Sequence, residues 1–189
     1  MQWKKHLKEV PEGAHAFLGA SKYSWINYSD EELVEAYRRD AAKKRGVELH
    51  ELAALLIKNK QKLPKSNKTL NLYVNDSIGF GMVSEQPLYY SRNCFGTADA
   101  IGFRKRYLRI HDLKTGTSRA SLHQLEIYAA LFCLDYNIKP GELSGCELRI
   151  YQNDNVLVSN LEADGLLPII DKIIRFDKKI EKLREQGYE

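Results

Sequence analysis

Two short runs of alternating side chains, at residues 96–103 and 107–113, constrain the fold of this chain more than any other feature of its sequence. A turn at residues 105–106 would set Phe103 opposite Leu108, with a pair of isoleucines opposite each other two positions further on. Apolar partners that face each other directly are what the buried side of a strand pair requires. The pattern therefore predicts a β-hairpin with one face in the core.

The same register brings three charged side chains to the end of this hairpin. It sets Asp99 opposite Asp112, and strand alternation puts Lys114 on the face of Asp112. Two carboxylates about 4.5–5.5 Å apart at their β-carbons repel each other, so they bind a cation, share a proton or face open water. A divalent ion is the simplest answer, and carboxylate oxygens suit Mg²⁺ or Mn²⁺. The lysine would then orient a water molecule or neutralise a phosphate.

Helical patterns surround the hairpin on both sides. Ser29 with Glu32 three residues later forms a capping box that predicts a helix ending near Gly46. Further helices are expected at 47–58, 69–82, 118–136 and 164–186, and further strands at 87–91, 147–151 and 156–159. Helices followed by three strands, a helix, two strands and a helix predict an α/β or α+β domain with a mixed sheet.

Composition removes several classes of protein. The chain has three cysteines and no C-x-x-C pair, which argues against a thiolate zinc or iron–sulfur site and favours a reducing compartment. The longest strongly apolar run, 52–57, is too short to span a bilayer, and no apolar stretch follows the lysines at the N-terminus. We therefore expect a cytoplasmic protein. A net charge of +4 permits a polyanionic partner.

Four short motifs give the sequence a specific resemblance. Together they lie within residues 46–136, nearly half the chain. In chain order they are Gly46-x-x-x-His50, Gly96-x-x-Asp99, Asp112-x-Lys114-Thr115-Gly116 and Gln124-x-x-x-Tyr128. Their types and order resemble the RecB-like branch of the PD-(D/E)XK nucleases, in which Ala98 would stand where the superfamily name has proline. A second Asp-x-Lys triplet, at 177–179, falls in a predicted helix and is interpreted as solvated charge.

The resemblance implies a restriction-endonuclease-like core, in which helices flank a mixed central β-sheet. It also implies roles for individual side chains. The catalytic residues would be Asp99, Asp112 and Lys114. Mg²⁺ or Mn²⁺ would be bound by His50, Asp99, Asp112 and the carbonyl of Leu113. Gln124 and Tyr128 would line the site and contact the nucleic acid.

Several other side chains have two interpretations. Arg119, at the expected start of a helix, holds a phosphate together with the helix amides or belongs to an ordinary exposed end. The arm residues Tyr23, Trp25 and Tyr28 pack in the core or stack on unpaired bases. Glu85 is a further metal ligand or a solvated acid. The basic runs near residues 38–45 and 58–68 contact phosphates or form solvated faces.

The expected function is that of a metal-dependent DNA nuclease, a phosphodiesterase of a bacterial or phage-infected cell. The whole chain, 1–189, would be one nuclease domain with an N-terminal arm at 1–28, a catalytic core at 46–160 and a C-terminal helix at 164–187. Relatives in this branch process DNA ends in recombination, repair or phage replication, so an exonuclease is the first choice. A structure-directed endonuclease and a catalytically idle DNA-binding subunit are the alternatives. The expected partner is DNA with a free or single-stranded end, with a second copy or a recombination protein left open and no membrane.

Overall fold

A computed structural model describes residues 15–188 of the chain, which form two compact units that divide between Arg45 and Gly46. In the first unit a 3-10 helix, Ala20–Asn27, precedes helix α1, which spans Asp30–Lys58. The predicted capping box is confirmed: the Ser29 N–H donates to Glu32 and the Glu32 N–H donates to the Ser29 hydroxyl. The aromatic arm does not form a core, because Tyr23 is 73% exposed.

Helix α1 continues through Gly46, so the two helices expected around this glycine are one, and the predicted end near Gly46 is wrong. A glycine inside a helix costs about 1 kcal/mol relative to alanine, which does not break a helix that packs elsewhere. In the second unit the end of α1 does pack, because Ala53, Leu56 and Ile57 are buried against α2, which spans Thr69–Gly79.

A single five-stranded sheet organises the second unit, with its strands in chain order. Its strands are β1 (Val83–Ser91), β2 (Cys94–Arg104), β3 (Tyr107–Leu113), β4 (Gly145–Gln152) and β5 (Asn155–Asn160). All neighbours are antiparallel except β3 and β4, which are parallel and are connected through α3 (His123–Asp135). The mixed sheet flanked by helices that the sequence predicted is therefore confirmed.

Helices cover the sheet from both sides. On one side α3 and α4 (Ala163–Glu185) bury a cluster that includes Leu125, Leu148 and Leu166. On the other side α2 and the end of α1 bury a second cluster around Tyr73, Val74 and Tyr151. Each buried aliphatic side chain contributes about 1.5–3 kcal/mol, so these two clusters fix where the ends of the strands lie.

The hairpin register is confirmed near its turn. Lys105 and Arg106 both have positive φ, at 52° and 63°, which is the backbone of a two-residue type I′ turn. Phe103 pairs with Leu108 as predicted. The ladder ends at the pair Ala100–His111, one pair before the predicted contact between the two aspartates.

Strands β1 and β2 change which face they bury at the level of Asp99, just beyond the end of the ladder between β2 and β3. Ala98 is buried in the cluster under α3, whereas Ala100, two positions later, is buried in the cluster under α1 and α2. The neighbouring strand changes at the same level, where Glu85 has a φ of 51° between the pairs Ser84–Ala100 and Gln86–Ala98. Strict alternation therefore does not hold at Asp99, and the ladder between β2 and β3 does not extend to Asp99 and Asp112.

Two element boundaries also differ from expectation. Helix α3 begins at His123 rather than near 118–119, so Arg119 lies in the preceding loop and not at the helix start. Helix α2 ends at Gly79 rather than at residue 82. At the start of this helix, the Asp154 carboxylate from the β4–β5 turn accepts hydrogen bonds from the Thr69 N–H and hydroxyl. Across residues 15–188, none of the helices has the length and apolar content needed to cross a membrane.

Candidate active site

Three side chains that can bind a metal converge at the edge where the strands change faces. They are His50 from α1, Glu85 from β1 and Asp99 from β2, and one ligand atom of each lies within 4.8 Å of the others. His50 Nδ1 is 3.3 Å from Asp99 Oδ2. Burial, and then the charge of Asp99, raise the pKa of the Glu85 carboxyl above its ordinary value. This group concentrates negative charge beside an imidazole.

The backbone at Glu85 is strained in a way that places its carboxylate in this group. A φ of 51° lies in the left-handed region, which residues other than glycine adopt infrequently. Such a conformation costs about 1–3 kcal/mol and is maintained only where the surrounding structure enforces it. The pairs on either side of Glu85 are regular, so the strain is confined to this one residue.

Asp99 is connected through the backbone of Leu113 to the end of β3, where Asp112 lies. The Leu113 N–H donates to Asp99 Oδ2 at 3.0 Å. The Asp112 side chain is only 4% exposed and receives a 3.1 Å hydrogen bond at Oδ1 from Lys114 Nζ. Burial and the charge of Asp99 raise the pKa of Asp112, while Lys114 opposes them. The site therefore has two parts, the ligand group with Asp99 and the Asp112–Lys114 pair, and they meet at the end of β3.

Lys114 is held between a carboxylate and an amide. Its Nζ donates to Gln124 Oε1 at 2.9 Å and lies 3.0 Å from Asp112 Oδ2. Gln124 in turn donates from Nε2 to the Tyr128 hydroxyl at 3.2 Å. Gln124 and Tyr128 are four positions apart in α3 and so lie on one face of that helix. The spacing of this motif positions the ammonium group.

Two of the three glycines in the motifs, Gly46 and Gly96, are explained by close packing. A β-carbon at Gly46 would lie 2.7 Å from Thr115 Oγ1, and one at Gly96 would lie 2.8 Å from Tyr128 Cε1. Either distance is shorter than carbon atoms tolerate, so only glycine fits without a shift of its neighbour. The glycine motifs thus let α1 and β2 approach the segments that carry Lys114 and Tyr128.

Gly96→Ala should destabilise the protein by about 1–3 kcal/mol, because the added methyl group overpacks the Tyr128 ring. Gly116→Ala is the matched control, since no described atom lies within 4 Å of a β-carbon built there. Urea unfolding of both variants measures the difference. Equal stabilities for the two would contradict the packing role of Gly96.

Arg119 and Lys114 line one side of the site together. Both border a cavity of about 370 Å³ that Gln124, His123 and Gln152 also line. A second cavity, of about 430 Å³, is lined by Leu113, Lys114 and Thr115 together with residues of α1, of the start of α2 and of the β4–β5 turn. The loop position of Arg119 therefore keeps it beside Lys114, although the helix start expected there is absent.

The sequence left two interpretations of Glu85 open, a further metal ligand or a solvated acid. It was expected to lie just before the first strand, which was predicted to begin at residue 87. In the structure β1 begins at Val83, so Glu85 lies at the level of Asp99 on the paired strand. The register between β1 and β2 would have placed Glu85 beside Asp99. That register could not be read from the sequence, because the pairing next to the turn is irregular between Tyr89 and Ser91.

Comparison of the chain with protein-family models gives no match, and comparison with curated proteins gives none either. What the chain does is therefore inferred from the residues of the site. An imidazole, three carboxylates and a positioned ammonium group at one sheet edge suit the binding of a divalent cation and an anionic substrate.

Proposed function

We propose that this protein is a metal-dependent DNA nuclease that hydrolyses phosphodiester bonds and acts as an exonuclease on free or single-stranded ends. One observation carries the proposal: the ligand group of His50, Glu85 and Asp99 adjoins the Asp112–Lys114 ion pair at one edge of the sheet. All of these residues except Glu85 belong to the motifs that resemble the RecB-like branch of the PD-(D/E)XK nucleases. A restriction-endonuclease-like core is part of the same proposal.

The donor set fits a hard divalent cation. Carboxylate oxygens and an imidazole accept Mg²⁺ or Mn²⁺. Asp112 Oδ2 is buried and accepts no hydrogen bond among the described residues, although Lys114 Nζ lies 3.0 Å from it, so a metal ion would complete its coordination. His50, Glu85 and Asp99 would hold the ion, together with Asp112 and the Leu113 carbonyl. When bound, the ion activates water and stabilises the leaving oxygen.

The chain's own side chains supply the remaining functions. Asp112 and Gln124 fix the Lys114 ammonium, whose positive charge would lie beside the phosphate undergoing attack. Arg119, across the 370 Å³ cavity from Lys114, adds a second cation for a phosphate. Tyr128 orients the Gln124 amide and so keeps Lys114 in place. Such positioned charges stabilise a transition state more than mobile ones, because they need no reorganisation.

The experiment is cleavage of end-labelled DNA with and without Mn²⁺. We expect linear single strands to be degraded to short products only with the metal, and covalently closed single-stranded circles of the same length to be attacked slowly. Equal rates on circles and linear strands would instead make the enzyme an endonuclease. Binding of DNA with no cleavage in Mg²⁺ or Mn²⁺ would make the chain a DNA-binding subunit.

Glu85→Gln and His50→Ala should each weaken Mn²⁺ binding by about 10- to 100-fold or more, since both remove a ligand. Calorimetric titration of Mn²⁺ into the metal-free protein measures this without any cleavage. Glu51→Gln, an exposed acid next to His50 in α1, is the control and should bind Mn²⁺ like the wild type. A His50→Ala variant that loses thermal stability but binds Mn²⁺ normally would show that His50 is structural.

A further inference from the structure

The hairpin formed by β1 and β2 carries an exposed face beyond the candidate active site. Leu88 of β1 and Ala98 of β2 are completely buried in the cluster under α3, so the residues that alternate with them along their strands point to the opposite side. Those residues form the facing pairs Pro87–Thr97 and Tyr89–Phe95, and all four are exposed. This face, named here the hairpin face, is a row of side chains without a covering helix among residues 15–188.

The hairpin face begins at the metal-ligand group. Glu85 and Asp99 lie at one level of the two strands, and Tyr89 and Phe95 pair four positions further along each strand. At about 3.3 Å per residue, the aromatic pair lies about 13 Å from the acids. That distance corresponds to about four stacked nucleotides at 3.4 Å each. The face is therefore continuous with the place where a phosphate would be held.

The two rings form a flat apolar surface. Their centroids are 6.3 Å apart with an interplanar angle of 26°, and Tyr89 is 55% and Phe95 67% exposed. Even complete burial of two aromatic side chains covers only about 150–250 Å² each. A stable protein interface needs about 800 Å² on each partner, so the pair is too small to hold a second protein. Stacked rings of this size suit a nucleobase, which gains energy from a single aromatic face.

The far end of the hairpin is anchored, so the rings have a fixed place. The Asp177 carboxylate of α4 accepts hydrogen bonds from the Ser91 hydroxyl and the Asn93 amide, and is not the solvated charge that its sequence context predicted. The Asn93 amide and the Arg92 guanidinium also donate to Glu181. Hydrogen bonds from these two side chains lower the pKa of Glu181, which favours the ionised form that accepts them.

We propose that the hairpin face binds an unpaired DNA strand, with a base stacked on the Tyr89–Phe95 pair and the backbone running towards Glu85 and Asp99. The choice of DNA as the ligand rests on the proposed function. The single-stranded preference rests on the hairpin itself, because bases offer their faces only when they are unpaired. The hairpin thus takes one of the two roles that the sequence left open for the aromatic arm at 23–28.

The test measures binding of a fluorescein-labelled oligothymidylate in EDTA, where cleavage cannot occur. Phe95→Ala and Tyr89→Ala should each weaken binding by about 5- to 150-fold, the range expected for loss of one stacked base. Tyr188→Ala, which removes another tyrosine that is 71% exposed, is the matched control and should bind like the wild type. Phe95→Trp should bind like the wild type, and the fluorescence of the added tryptophan should be quenched when the oligonucleotide is added.

Each outcome decides the proposal. If Tyr89→Ala with Phe95→Ala in one protein binds the oligonucleotide within twofold of the Tyr188→Ala control, the hairpin face is not the strand site. If instead that double variant changes the oligomeric state by sedimentation, the face is a protein interface and the proposal fails. Because binding is measured without metal, failure of the strand-site proposal leaves the nuclease proposal intact. A protein that binds the oligonucleotide but never cleaves DNA would overturn the nuclease proposal alone.

Discussion

Asp112→Asn should reduce Mn²⁺-dependent cleavage by about 10³-fold. The substitution removes a buried carboxylate from the proposed metal site, where a bound ion stabilises the transition state by several kcal/mol. It also removes the partner of Lys114. The same variant should be more stable than the wild type in EDTA at neutral pH. Burial and Asp99 raise the pKa of Asp112, so its ionised form destabilises the folded, metal-free state. This gain should disappear as the pH falls and the wild-type carboxyl becomes protonated.

Asp171→Asn provides the control, since Asp171 is an exposed aspartate of α4. It should keep wild-type cleavage rates and an unchanged pH dependence of stability. Cleavage assays in Mn²⁺ and urea unfolding in EDTA separate the two effects. Full cleavage by Asp112→Asn would remove this residue from the active centre, and a loss of stability in EDTA would show that its pairing with Lys114 outweighs the cost of burial.

The largest pH effect on stability should come from His111, whose ring is completely buried on the sheet face under α2. Burial, reinforced by the charges of Arg149 and Arg109, lowers the pKa of His111 to about 3. The unfolded chain binds a proton near pH 6.5 and the folded chain does not, so stability should fall as the pH drops from about 6.5 towards 3. The full loss would be about 5 kcal/mol at 1.36 kcal/mol per pH unit.

Urea unfolding of the metal-free protein between pH 7 and pH 4 tests this expectation. His111→Gln should lose less stability over that interval than the wild type, since glutamine does not titrate. His123→Gln is the matched control, because the His123 side chain is 84% exposed, and its stability should follow the wild type at every pH. Parallel curves for wild type and His111→Gln would mean that the buried imidazole does not control the acid response.

The hairpin was predictable because its determinants are local. The pairing of Phe103 with Leu108 follows from alternation over a few residues and from a two-residue turn. The capping box at Ser29 is equally local. The resemblance of four motifs placed His50, Asp99, Lys114 and Tyr128 as members of one site, and the structure gathers them at one edge of the sheet.

The parts that the sequence did not reveal depend on contacts between distant segments. Gly46 was expected to end a helix, yet its contact with Thr115, far along the chain, explains why a glycine stands there. Glu85 reached the ligand group through a left-handed backbone and a strand register that short-range patterns do not encode. The loop before α3 was expected to be helical because propensity alone does not show where the Leu122 cap begins the helix.

The contact of Gly96 with Tyr128 also has an evolutionary meaning. A ring at position 128 leaves no room for a side chain at position 96, and a smaller residue at 128 would release that restriction. The two positions should therefore vary together among descendants of this sequence. A descendant that loses Tyr128 also loses the hydrogen bond that orients Gln124, and the same change removes the steric restriction on Gly96. Loss of the contacts that hold Lys114 would then be accompanied by a larger residue at position 96.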